Sequence, residues 1–322
     1  MQWPRELFGA DGMSREAWSG KDVLSVLDFS RSDFEQLFEL ASDFADKPGS
    51  VRKSLPDRIV ATAFFEPSTR TRLSFSTAAL KLGAKVIDLS PDSSSVMKGE
   101  SLPDTVRMLE SYSDLIIMRH PSEGAALLAS EVSKVPIVNG GDGSQHHPSQ
   151  AMLDLFTIKR LKGRIDGLRY AVLGDARYAR TVTSLLYGLA KYKPKAVYLV
   201  SPEGLTMRTE VKDTLDRLKL KTEQVKDVED VLDKVDVIYM TRIQKERFPD
   251  PNEYERVKGS YRITRSTLAR AKDALVMHPL PRTNELAYDV DSLPNAAYME
   301  QARLGVPLRM ALLDLVLGDR KK

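Results

Sequence analysis

Apolar and β-branched runs recur along the chain at Arg58–Phe65, Lys85–Leu89, Leu115–His120 and Pro136–Gly140, and again at Arg169–Asp175, Ala196–Ser201, Val237–Arg242 and Ala274–Leu280. Most are apolar on consecutive positions and do not alternate, which is the pattern of strands covered by helices on both faces. Longer stretches with helical spacing separate them. The pattern predicts an α/β protein of two domains, each an open, mainly parallel sheet of about four strands flanked by helices. Between the fourth and fifth runs, Ala151, Leu153, Leu155, Ile158 and Leu161 share one face of a helix within Ser149–Lys162, suited to joining two domains. The boundary is therefore placed between 1–150 and 151–301. Near the end, Leu308, Ala311, Leu312, Leu315 and Val316 form a second helical stripe that stops at Gly318 and packs on one of the domains. The alternation of acids and bases from Glu210 to Lys234 reads as a solvated helical face.

Composition narrows the function. A chain of 322 residues has room for two domains at roughly 150 residues each. With 42% hydrophobic and 29% charged residues it sits with globular proteins, away from the disordered class. Lysine and arginine exceed aspartate and glutamate by 48 − 45 = +3, with the two signs interleaved, so nucleic acid is not an expected partner. The absence of cysteine excludes disulfides, thiolate metal sites and a cysteine nucleophile, and fits a reducing compartment. No apolar run approaches the ~20 residues needed to cross a bilayer. The first residues, with Arg5, Glu6, Asp11, Arg15 and Glu16, lack the apolar core of a secretory signal. The expected address is cytoplasmic, with no membrane contact.

Polar groups gather where the runs end. Phe64-Phe65-Glu66-Pro67-Ser68-Thr69-Arg70-Thr71-Arg72 carries a strand into a helix through hydroxyls and guanidinium groups. Free N–H groups and the dipole favour an anion there. Ser68 or Thr69 could simply cap the helix, but two arginines in the first turn oppose the dipole unless an anion compensates. Arg119 ends another run, and His147 and Gln150 follow a third, at the carboxyl ends where open α/β sheets bind ligands. Three of the four histidines, His120, His147 and His278, precede proline, which any loop can use as punctuation. The loop Ser93–Glu100, rich in hydroxyls around Lys98, reads by itself as solvated. In the second half, Gly174–Thr181 and Thr241–Arg247 again place arginine after a strand. The glycine spacing matches no dinucleotide fingerprint, no GK[ST] phosphate loop occurs, and no metal-ligand spacing is present, so neither cofactor nor metal is expected.

The order and spacing of these motifs resemble the catalytic chains of the aspartate carbamoyltransferase family over nearly the whole length. Phe64–Arg72 is similar to the carbamoyl-phosphate signature that the family shares with ornithine carbamoyltransferases. Arg180, the Thr241–Arg247 run and His278-Pro279-Leu280-Pro281 look like the aspartate type; the ornithine type carries cysteine where this chain has Ser149 and Pro279. The resemblance implies the aspartate/ornithine carbamoyltransferase fold, with 1–150 binding carbamoyl phosphate and completed by helix 302–322, and 151–301 binding aspartate. It implies transfer of the carbamoyl group to the amino group of L-aspartate in pyrimidine synthesis, without a cofactor. Ser68, Thr69, Arg70 and Thr71 would hold the phosphate, and Arg119 would bridge phosphate and carbonyl oxygen. Thr71, Arg119 and His147 would donate to the developing oxyanion, and Gln150 with the main-chain carbonyls of Leu280 and Pro281 would orient the amino groups. Arg180, Arg242 and Gln244 would grip the aspartate carboxylates. The family's unit is a homotrimer whose loop lysine, here Lys98, enters the neighbour's site and touches phosphate and aspartate; Ser94 and Ser95 both qualify as the loop serine. Regulatory chains or other pyrimidine-pathway enzymes are further partners of the family. A carbamoyltransferase for another amine is the competing reading, and two arginines in the second-substrate pocket argue for a dicarboxylate. Ala179, where the family commonly has glycine, and His146 are departures.

Overall fold

The structure, a computed structural model, describes residues 18–48, 53–248 and 250–318. The first residues, from Arg5 to Glu16, whose lack of an apolar core was noted above, lie outside these residues. The chain divides into two compact units, Met1–Met152 with Leu304–Lys322, and Leu153–Arg303.

In the first unit, strands β1 (Ile59–Phe64), β2 (Lys85–Leu89), β3 (Leu115–His120) and β4 (Ile137–Asp142) form one sheet in the order β2-β1-β3-β4, parallel throughout. Burial follows position. All six residues of β4 are buried, whereas β2, at the other edge, is part exposed along its length. Val23 shields the outer edge of β4 by donating to the Ile137 carbonyl at 2.8 Å and accepting from Asn139 N–H at 2.9 Å. Helix α1 (Arg31–Asp46) opens on a capping box: Ser30 Oγ accepts from Asp33 N–H at 3.2 Å and Asp33 accepts the Ser30 N–H at 2.7 Å. Such a cap contributes about 1 kcal/mol. Its buried face is Phe34, Leu37, Phe38 and Ala41, the helical spacing of a single stripe. Helices α2 (Thr69–Lys81), α3 (Leu102–Glu110) and α4 (Ala125–Val132) link the strands, so each crossover is of the parallel β-α-β kind.

Helix α5 (Pro148–Lys162) carries the chain from the first unit into the second. There β5 (Arg169–Leu173), β6 (Ala196–Val200), β7 (Glu223–Val225), β8 (Val237–Met240) and β9 (Leu275–Met277) lie in the order β7-β6-β5-β8-β9, again all parallel. The second sheet thus has five strands, not about four. The extra one is β7, inside the stretch read as a solvated helical face; that face exists only over α7 (Thr209–Arg217), which follows α6 (Arg180–Leu189). Glu223, Gln224 and Val225 leave no apolar run because an edge strand needs none. The core of this unit gathers Ala171, Leu173, Ile238, Met240 and Val276 from the sheet with Val231, Leu232 and Leu268 from the flanking turns. A short α8 (Pro251–Val257) follows the Thr241–Arg247 segment, and α9 (Tyr298–Leu317) returns the chain to the first unit. Helix α9 begins upstream of the apolar stripe read from the sequence and runs through Pro307. Its last three turns, from Leu308, are buried on nearly every side, and Arg309 lies 4.9 Å over the Phe75 ring.

Candidate active site

The strand orders fix where polar groups can collect. In the first sheet the chain leaves β1 for β2 on one side and comes back to β3 on the other. In the second, β5 leads to β6 on one side and β8 lies on the other. A crevice opens at the carboxyl ends of strands that diverge in this way. In the first unit the divergence falls between β1 and β3, paired Phe64 with Arg119, and the Phe65 N–H donates to the Arg119 carbonyl at 2.8 Å.

Ser68 occupies the N-cap of α2 but makes no side-chain cap bond, so the bland capping role is not filled by its hydroxyl. Thr69 and Arg70 are exposed at the first turn and Thr71 is buried beneath them. Arg72 takes a different course: its guanidinium pairs with Asp88 at 3.2 Å, and Asp88 also accepts from Thr62 Oγ1 at 2.5 Å. Of the two arginines that oppose the helix dipole, Arg72 is therefore compensated by β2. Arg119 donates from Nε to Glu66 at 3.2 Å, and its Nη1 lies 3.5 Å from Ser68 Oγ. Glu66 thus orients Arg119 towards the Ser68 turn, a role the sequence did not show although Glu66 lies inside the motif. Next to it burial holds the His120 imidazole below its ordinary value, against the opposing charges of Glu66 and Asp142, and Nδ1 accepts the Ser122 N–H at 3.0 Å.

His147 is buried at the start of α5, its carbonyl accepting from the N–H groups of Gln150 at 3.1 Å and Ala151 at 3.2 Å. It comes from the end of β4, whose Asp142 pairs with His120 of β3. His146, the departure noted above, turns away to Ser25, with Nδ1 3.3 Å from its Oγ. Three neighbouring strands therefore deliver Ser68, Thr69, Arg70, Thr71, Arg119, His147 and Gln150 to one sheet edge, with two helix N-termini among them. That combination favours a small, highly charged anion.

Ser94, Ser95 and Lys98 are not part of this cluster. They follow the edge strand β2 in two single 3-10 turns ending at Gly99, which takes the left-handed conformation with φ 91°. Ser94 Oγ is spent on its own turn, donating to the Pro91 carbonyl at 3.0 Å and accepting from Val96 N–H at 3.3 Å. The Ser95 and Lys98 side chains are exposed and make no hydrogen bond or ion pair among the described residues.

In the second unit the divergence falls between β5 and β8. Thr241 N–H donates to the Leu173 carbonyl at 2.9 Å, and Asp175 N–H donates to Thr241 Oγ1 at 3.2 Å. Gly174 permits this approach, having φ 111° and lying where a Cβ would come within 2.3 Å of the Thr241 carbonyl. Asp175 is buried, and Oδ1 accepts from the N–H groups of Arg177 at 3.1 Å and Tyr178 at 2.8 Å. Burial pushes its carboxyl up to about 6, against those N–H groups, that of Gln244 and the charge of Arg242. The carboxyl therefore braces both segments that bear the arginines. Arg180 is buried as the first residue of α6, while Arg242 and Gln244 are half-buried after β8. Ala179 has φ −79°, open to any residue, so this turn has no need of glycine. Leu280 and Pro281 follow β9 with Leu280 at φ 56° and a cis bond between them.

Among the described residues no group of three or more His, Cys, Asp or Glu side chains is placed to hold a metal ion, and no helix is long and apolar enough to cross a membrane.

Two parallel sheets, each with cationic groups at the divergence of its strands, match known domain models in turn. Residues 21–160 match the carbamoyl-phosphate-binding domain, and residues 166–316 the aspartate/ornithine-binding domain, of aspartate/ornithine carbamoyltransferases. The chain belongs to this family. Within it, the chain is 54% identical over 300 residues to the aspartate carbamoyltransferase catalytic subunit of Thermofilum pendens, covering 92% of this chain and 95% of that one. It is 48% identical to the solved catalytic subunit of M. jannaschii aspartate transcarbamoylase, with a TM-score of 0.83 over 92% of this chain and 97% of that one. The Trypanosoma cruzi aspartate transcarbamoylase, solved with carbamoyl phosphate and aspartate, is 39% identical with a TM-score of 0.90, covering 94% and 98%.

Proposed function

We propose that this chain transfers the carbamoyl group of carbamoyl phosphate to the amino group of L-aspartate, giving N-carbamoyl-L-aspartate and phosphate. The observation that carries the choice of acceptor is the pair Arg180 and Arg242 at the strand divergence of the second unit, braced through Asp175. A planar guanidinium binds a carboxylate through two parallel hydrogen bonds, so two of them suit a dicarboxylate and repel a cationic amine such as ornithine. Gln244 assists.

In the first unit Ser68, Thr69, Arg70 and Thr71 take the phosphate at the α2 N-terminus. Arg119 bridges phosphate and carbonyl oxygen. The unprotonated amine attacks the carbonyl carbon, forming the new C–N bond and a tetrahedral oxyanion that Thr71, Arg119 and His147 stabilise; such preorganised donors are commonly a large part of catalysis in acyl transfer. Collapse breaks the C–O bond to phosphate, which leaves with the amine's proton, so no dedicated side-chain base is required. Gln150 and the carbonyls of Leu280 and Pro281 orient the amino groups. Bringing two anions together is most of the work.

The active assembly is a homotrimer in which Lys98 and Ser95 serve the neighbouring chain's site, touching phosphate and aspartate. Support comes from Leu73 and Leu80, two turns apart on one face of α2 and 55% and 61% exposed, an apolar stripe suited to a like chain. Met97, next to Lys98 in the chain, is also exposed, at 71%, and the Lys98 charge has no partner within its own chain among the described residues. Ser95 is chosen over Ser94 because the Ser94 hydroxyl is held in its own turn. The cysteine-free composition supports a cytoplasmic, reducing location.

The test is a competition in which equal L-aspartate and L-ornithine share limiting carbamoyl phosphate. N-carbamoyl-L-aspartate alone is expected; carbamoylated ornithine as the main product would overturn the arginine pocket.

A further inference from the structure

His278 is one of the three His-Pro histidines, and loop punctuation does not describe it. It is 1% exposed, at the carboxyl end of β9. Nδ1 accepts the Leu280 N–H at 2.8 Å, which fixes the proton on Nε2, and Nε2 donates to Glu285 at 2.9 Å. Glu285 is itself held by Thr283, whose N–H reaches Oε1 at 3.0 Å and whose hydroxyl donates to Oε2 at 2.7 Å. Burial alone would raise this carboxyl; the bonds from His278 and Thr283 outweigh it, and the group falls to about 2.

The main chain of His278 is fixed as well. Its N–H donates to Gln301 Oε1 at 3.0 Å, Gln301 donates to Asp154 Oδ1 at 2.6 Å, and Asp154 accepts from the Tyr239 hydroxyl at 2.8 Å. All of these side chains are buried. A buried network with each of these bonds made is an expensive way to build a surface turn, and a fitting way to hold one backbone direction. The backbone it holds is unusual: Leu280 lies at φ 56°, a region that a leucine rarely enters and that persists only when its surroundings impose it. Among the described residues the Leu280 N–H donates to His278 Nδ1 and to no other acceptor.

We propose that His278, its tautomer set by Glu285, is a positioning residue that aims the Leu280 and Pro281 carbonyls and thereby confers selectivity for an acyl phosphate bearing an amino group. This deepens the function proposed above and rests on the assignment there of those carbonyls to the amino groups. His278 touches no substrate. Its effect reaches the substrate through the direction of two acceptors that can greet N–H and cannot greet C–H.

The probe pair follows from that chemistry: carbamoyl phosphate and acetyl phosphate differ by an amino group against a methyl. Their dissociation constants are measured on the full chain, without the amine substrate, for the parent, His278→Gln and His278→Asn. Glutamine can still donate to Glu285 but places no acceptor at the Nδ1 position, whereas asparagine places Oδ1 there. The parent is expected to prefer carbamoyl phosphate. H278Q is expected to lose roughly tenfold of that preference, the worth of one hydrogen bond, with acetyl phosphate affinity kept; H278N is expected to retain most of it. A preference unchanged in H278Q, or lost from H278N, or an equal fall in both affinities, overturns the positioning role. Should H278Q fail to fold, the H278N result decides by itself. A parent that does not distinguish the two acyl phosphates overturns the carbonyl assignment, and this inference with it.

Discussion

Replacing Asp175 by asparagine should make the protein more stable at neutral pH, a direction opposite to that of most buried substitutions. Asp175 is fully buried, and Oδ1 accepts two main-chain N–H groups, from Arg177 and Tyr178. Asparagine offers the same acceptor without the charge. Burial raises the carboxyl from 3.8 to about 6 in spite of those bonds and of Arg242. About two pH units at ~1.4 kcal/mol each make the ionised form cost roughly 3 kcal/mol at pH 8. The sign follows: the folded state binds the proton more tightly, so this contribution is complete below pH about 4 and is lost as pH rises through about 6. Urea unfolding followed by circular dichroism at pH 5, 6, 7 and 8 gives the comparison. D175N should exceed the parent by up to about 3 kcal/mol at pH 8, with the difference shrinking steadily towards pH 5. A variant less stable than the parent at pH 8, or an advantage independent of pH, would refute the reasoning.

Three further outcomes are expected. Arg70→Ala should abolish carbamoyl phosphate binding, while Arg242→Ala should leave it and weaken aspartate, read by calorimetry and by KM; equal loss of both ligands in both variants would contradict the division between the units. Gly174→Ala should cost on the order of 3 kcal/mol or more, because a Cβ would sit 2.3 Å from the Thr241 carbonyl, and it should raise KM for aspartate by displacing Arg242; unchanged melting would contradict the close approach. Leu73→Asp combined with Leu80→Asp should release monomers with a folded circular dichroism spectrum and little activity, detected by light scattering, whereas an unchanged mass would remove the α2 stripe from the interface.

Much of the architecture was legible because buried parallel strands announce themselves as largely apolar runs on consecutive positions, as in β1 and β3. β7 was illegible for the converse reason: Glu223 and Gln224 sit on an exposed edge where composition is free. The turn at Ser68–Arg72 could be read from its clash of arginine with helix dipole. Its partition could not, since the Asp88 that takes up Arg72 comes from the neighbouring strand. Similarly, Glu285 lies seven residues on from His278 across an irregular segment, and no local spacing marks such a pair. Glu66 and Asp175 stood beside noticed residues, but a carboxylate's role depends on what faces it, which is a property of the folded chain.

The central claim is that the carbamoyl group passes from phosphate to the amine of aspartate. Carbamoyl phosphate labelled with 13C at its carbonyl, incubated with the protein and L-aspartate and followed by NMR, tests it directly. The account predicts labelled N-carbamoyl-L-aspartate formed in step with phosphate, one for one. Phosphate released without labelled product, or no turnover of carbamoyl phosphate at all, would contradict it.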